Sequence, residues 1–105
     1  MKIILPKNLP VNVHKFMQRV GYHFFVDPNT GKESYTMRTG RHFYPRFHAY
    51  TEDKGDRTVI DVHFDQKQAS YEGQRAHSGE YGGPQVEDEG GRLQRWIDYY
   101  AGGGE

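Results

Sequence analysis

The stretch HFYPRFHAYTEDKGDRTVIDVHFDQ, residues 42 to 66, carries two limbs of alternating apolar and polar side chains around one polar break. Phe47 and Ala49 in the first limb, and Ile60, Val62 and Phe64 in the second, alternate with Arg46, His48, Tyr50, Asp61, His63 and Asp65. That is the period of a strand with one buried and one wet face. The break, Glu52-Asp53-Lys54-Gly55-Asp56, suits a four- or five-residue hairpin loop built on a type I turn. Pairing Ala49 with Ile60 and Phe47 with Val62 gathers the apolar residues on one face, because a slip of one residue would turn one strand over. The same register sets His48 opposite Asp61 and Arg46 opposite His63. With these rings in the core, Phe47→Ala and Phe64→Ala are each expected to cost about 3–5 kcal/mol.

Upstream of this hairpin, Asn8-Leu9-Pro10 reads as a helix start with Asn8 as N-cap, or alternatively with Asn12 in that role. Val13, Phe16, Met17 and Val20 form one apolar stripe, and Gly21 supplies the stop. Tyr22 to Val26 is aromatic and β-branched, a strand. Asp27-Pro28-Asn29-Thr30-Gly31 is a turn, and the chain returns through Lys32 to Arg38 as a second hairpin. Pro45 lacks an N–H and belongs at an edge, a bulge or a non-bonded position. Met1 to Leu5 is either a short edge strand or an unstructured lead.

Downstream, residues 67 to 85 show neither period and are expected to be an irregular, glycine-rich segment lying over the sheet. Val86, Leu93, Trp96, Ile97 and Tyr100 then mark a helix over about 86–100. Gly90-Gly91 opposes its first half by on the order of 2 kcal/mol, so a start at Gly91 is the alternative. The expectation is one α+β domain over residues 1–105. It has a four-stranded antiparallel sheet made of two hairpins, an N-terminal and a C-terminal helix on one face, and the order α-β-β-β-β-α.

Composition narrows the function classes. With 34% apolar residues but 14% aromatic ones, the core must be carried by large rings. There is no cysteine, which removes disulfides and thiolate metal sites. No apolar run approaches the roughly 18 residues of a membrane span, and the first residues do not read as a secretory signal, so a cytoplasmic protein with no membrane partner is expected. Net charge is zero, yet residues 1–50 hold eight Lys and Arg against two Asp and Glu, and residues 51–105 hold six against twelve. Two halves that pack together and neutralise each other account for this; a basic surface for an anionic partner is the alternative.

The polar face of the main hairpin is the first place for chemistry. His48, Asp61 and His63 could converge, with Arg46 beside them, as a base and acid for phosphodiester cleavage. Two imidazoles and a carboxylate also suit zinc, or iron with open positions. The plain alternative is a set of surface pairs, each worth under about 1 kcal/mol, and neither a metal nor a cofactor is assigned. A binding surface on the same side would draw on Tyr44, Tyr50, Arg41 and His23, since interleaved rings and cations stack on unpaired bases. Ala76-His77-Ser78-Gly79-Glu80-Tyr81 places His, Ser and Glu close in sequence, which serves loop anchoring better than a triad.

The element order from Asn8 to Phe64, with the final helix, resembles the double-stranded-RNA-binding fold and the HicA-type toxin ribonucleases built on it. That family carries Gly-Ser-His on the strand after the first helix. The corresponding run here is Gly21-Tyr22-His23-Phe24, so His23 is the one counterpart and its neighbours differ. The resemblance implies RNA binding or a small ribonuclease. The residues themselves carry no specific catalytic signature and favour a non-enzymatic binding or interaction module, with a protein or a second copy as partner.

Overall fold

The computed structural model describes residues 1–66, 79–80 and 83–104. The element order is β1 (Lys2–Pro6), α1 (Val13–Arg19), β2 (His23–Val26), β3 (Glu33–Arg38), β4 (Arg46–Asp53), β5 (Arg57–Asp65), β6 (Gly79–Glu80) and α2 (Pro84–Ala101). The expected α+β class with an antiparallel sheet and two helices is present, but the sheet is larger than four strands. Its order is β1-β5-β4-β3-β2, with β6 beside the far end of β5. The first residues form the edge strand, pairing Ile3 with Ile60 and Leu5 with Thr58, so that both aliphatic side chains enter the core.

The hairpin of β4 and β5 forms where the alternation places it, in a register two residues from the expected one. Ala49 faces Val62, Phe47 faces Phe64 and Thr51 faces Ile60. The cause is a tighter turn. Lys54 N–H donates to the Arg57 carbonyl at 2.8 Å, and Gly55 takes the positive φ of 94° that such a turn needs. Asp53 Oδ1 accepts from Gly55 N–H at 2.8 Å. A shift by two keeps every side chain on its face, so the apolar face survives and only the cross-strand partners change. His48 now faces His63, Arg46 faces Asp65 and Tyr50 faces Asp61. Pro45 sits just ahead of β4, where no ladder N–H is required of it.

Asn12, not Asn8, caps α1: its side chain accepts from Lys15 N–H at 2.8 Å. Gly21, at φ 106°, ends the helix in a Schellman arrangement, with Gly21 N–H on the Gln18 carbonyl and Tyr22 N–H on the Met17 carbonyl. Phe16, Met17 and Val20 are buried as the stripe predicts. Helix α2 begins at Pro84 and runs straight through both glycines. Gly90 is where it crosses β1, and a Cβ there would overlap the Met1 side chain and touch Ile3. The overlap is with the flexible end of Met1, so Gly90 gives the Met1 side chain room against the helix.

Both helices pack on the face of Ile3, Leu5, Tyr35, Ala49, Ile60 and Val62, closing one core with Phe16, Met17, Leu93, Ile97 and Tyr100. A buried polar network ties α2 to the end of α1. Tyr22 donates to Glu89 Oε2 at 2.7 Å, and Arg92 holds Glu89 at 2.8 and 2.9 Å while donating to the Val20 carbonyl at 2.8 Å. Phe47 is only half-buried, its ring 4.9 Å from that of Phe64. Phe47→Ala is therefore expected to cost about 2 kcal/mol in a urea melt, less than Phe64→Ala. A larger loss at Phe47 than at Phe64 would show Phe47 to be the more deeply packed of the two rings. No helix among the described residues is long and apolar enough to cross a membrane.

Candidate functional site

The sheet face turned away from the helices is built from the polar positions of four strands. Alternation puts His23 and Phe25 of β2, Ser34, Thr36 and Arg38 of β3, Arg46, His48 and Tyr50 of β4, and Asp61, His63 and Asp65 of β5 on this side. Such a face is ordinarily wet. Here Arg46 is 5%, His48 8% and His63 5% exposed, so an ionisable cluster is buried in the middle of it.

Asp65 is the hub. Its Oδ2 lies 3.2 Å from His48 Nδ1 and 3.3 Å from Arg46 Nε, and its Oδ1 lies 3.1 Å from His63 Nε2. Burial pushes the Asp65 carboxyl up, but hydrogen bonds from His48 and His63 and their charge more than offset this and hold it well below the usual carboxylate range. On its far side His48 meets Ser34: Nε2 and Oγ are 2.8 Å apart. A carboxylate cannot donate, so each imidazole nitrogen facing Asp65 carries a proton or meets a cation. With Nδ1 of a neutral His48 protonated, Nε2 accepts the Ser34 hydroxyl proton. Ser34, His48 and Asp65, from three adjacent strands, thus form one hydrogen-bonded chain.

Rings enclose the cluster. The Arg46 guanidinium lies 4.3 Å from the Phe43 ring, 4.6 Å from Tyr44 and 5.3 Å from Phe25. Tyr50 stacks against His63 at 5.8 Å and tilts over His48 at 4.6 Å, with Lys32 Nζ 4.2 Å above its own ring. Arg46 Nη1 is buried and finds no hydrogen-bond acceptor among the described residues.

Of the residues expected to act together, the structure gathers Arg46, His48 and His63 and adds the rings of Tyr44 and Tyr50. Asp61 is not among them. It faces Tyr50 and pairs with the Met1 amino group at 3.3 Å, since the two-residue shift in register puts His63 opposite His48 and Asp65 opposite Arg46. His23 is exposed on the same face but on β2, and Arg41 is exposed in the β3–β4 connection. Asp65 stood on the expected polar face but outside the set expected to converge, and Ser34 was left out of the site. Both stood in polar alternation, and only the register and the pairing of β3 with β4 reveal that they meet at His48. Of the segment from His77 to Tyr81, Gly79 and Glu80 form β6, pairing Asp65 with Gly79; residues 67–78 and 81–82, expected to lie over the sheet, fall outside the described residues.

A sizeable cleft lies elsewhere. About 910 Å³ opens on the helix side, under the β1–α1 connection, between Leu5, Leu9, Val13, Thr51 and Tyr100. Of its charged side chains, Lys7 pairs with Asp53 at 2.9 Å, and Arg19 lies over the Trp96 ring at 5.4 Å. Volume favours the cleft and chemistry favours the polar sheet face. The face weighs more, because burying four ionisable groups costs free energy that a cleft with exposed charges such as Lys7 and Asp53 does not. Comparison with known proteins finds no family model, no curated protein and no solved structure that matches this chain, so the resemblance to the double-stranded-RNA-binding fold stands on element order alone.

Proposed function

We propose that the protein is a small binding module whose working surface is the polar sheet face, and that it takes a compact anionic group beside Arg46. The observation that carries this reading is the Arg46 side chain, packed among three rings with Nη1 buried and unpartnered among the described residues. A buried cationic donor without an acceptor is expensive, and an anionic oxygen would satisfy it with a charge-assisted bond. His48 and His63 add further donors when protonated.

Titration of ¹⁵N-labelled protein with inorganic phosphate and with a nucleoside monophosphate tests this. The expected result is saturable shifts at Ser34, Arg46, His48, Tyr50 and His63, with none along α1 or α2. Shifts confined to the cleft lined by Leu9, Val13 and Tyr100 would overturn it.

A second reading, RNA cleavage, is favoured by the Ser34–His48–Asp65 chain, because an imidazole oriented by a carboxylate is the form that general-base catalysis uses. Labelled RNA incubated with the protein at low salt should then be cut, and His48→Ala should abolish the cleavage. Intact RNA, or cutting that survives the substitution, would remove this reading.

A further inference from the structure

We infer that His48 Nδ1, His63 Nε2 and the Asp65 carboxylate form a three-ligand site for a divalent transition-metal ion of the zinc class. This deepens the reading of the polar face as the working surface and rests on it. The three donor atoms all lie within 4.8 Å of one another, on two adjacent strands whose backbones are locked by the β4–β5 ladder.

An ion bound at about 2.0–2.2 Å by nitrogen and oxygen needs its ligands roughly 3.0–3.5 Å apart. Each imidazole already has one carboxylate oxygen at that distance, His63 Nε2 at 3.1 Å from Asp65 Oδ1 and His48 Nδ1 at 3.2 Å from Asp65 Oδ2. Both imidazoles therefore aim a ring nitrogen at one carboxylate, an arrangement that needs either two protons or one cation between them. The two rings stand side by side, their centroids 4.9 Å apart.

The surroundings match what a ligating histidine requires. Ser34 Oγ, 2.8 Å from His48 Nε2, can accept the proton on the nitrogen that does not bind the ion, which fixes the tautomer and the ring orientation. Two imidazoles with one carboxylate select zinc, cobalt, nickel or copper over calcium and magnesium, which prefer all-oxygen sites. Three protein ligands leave a position open on the ion. Arg46, 3.3 Å from Asp65, opposes a bare cation but offers Nη1 to an anion held at that open position. Ion and anion thereby belong to one site.

The test uses untagged, chelator-treated full chain titrated with cobalt(II) and then with zinc(II). One cobalt per chain is expected, with the intense visible bands of a low-symmetry, four- or five-coordinate ion, displaced by zinc. Loss of binding in His63→Ala, a 10–100-fold weaker affinity in Ser34→Ala with unchanged circular dichroism, and no change in His42→Ala would support the site. Absence of saturation at millimolar ion, the weak spectrum of hexaaquo cobalt, or equal binding by the wild type and Ser34→Ala would overturn it. Phosphate-induced shifts on the polar face of the metal-free protein, with no metal uptake, would reject the metal site and leave the binding surface standing. Metal uptake with no phosphate response in either form would reject the anion reading instead.

Discussion

Asp65→Ala is expected to lower folding stability by about 3–5 kcal/mol, read from urea denaturation in the presence of a chelator. The carboxylate accepts from Arg46 Nε, His48 Nδ1 and His63 Nε2, and its removal leaves a guanidinium at 5% exposure with no counter-charge. The loss comes from the stranded cation and not from the worth of the pair, so the double substitution Arg46→Leu with Asp65→Leu should recover most of it. A cluster whose apolar replacement is neutral or stabilising is kept for what it binds. If Asp65→Ala costs less than about 1 kcal/mol, the value of an exposed pair, the cluster is solvated and the site argument falls with it.

Glu89→Ala is expected to be comparably severe, about 3–5 kcal/mol. Glu89 is 5% exposed on the sheet-facing side of α2 and satisfies both the Tyr22 hydroxyl and Arg92. Without it the Tyr22 hydroxyl is buried unpaired, and Arg92 loses the anchor that positions it on the Val20 carbonyl at the end of α1. The same network makes a pH prediction. Burial, then the Glu89 charge and its hydrogen bond, push the Tyr22 phenol far above its ordinary value near 10. A group whose folded pKa is raised contributes stability that is fully present below the unfolded pKa and is lost as pH rises beyond it. Stability should therefore fall above about pH 10, and Tyr22→Phe should flatten that fall. In a spectrophotometric titration of the folded chain Tyr22 should stay silent until the protein unfolds. Its titration near pH 10 in the folded state would show that it is not buried against Glu89.

How legible all this was varies by element. The α1 stripe of Phe16, Met17 and Val20 and the stop at Gly21 were readable because helix periodicity and glycine's positive φ are local properties. The apolar faces of β4 and β5 were readable because alternation survives any even shift of register. The cap of α1 was ambiguous between Asn8 and Asn12, two residues of equal propensity that only the path of the backbone separates. Helix α2 runs through Gly90-Gly91 against its own propensity, carried by the burial of Val86, Leu93, Ile97 and Tyr100 on either side of them.

The sequence by itself therefore determined that this chain is α+β, which face of each element is apolar, and that Arg46, His48 and His63 share the polar face of one hairpin. Tertiary structure decided which carboxylate joins them. One tight turn at Gly55 moved the register by two residues, and with it Asp61 went to the Met1 amino group and Asp65 to the two imidazoles. It also brought Ser34 across from the neighbouring strand and laid the rings of Phe25, Phe43 and Tyr44 over Arg46. The physical reason is that the side-chain period of a strand specifies faces but not partners: partners depend on turn geometry and strand order, which no single segment encodes.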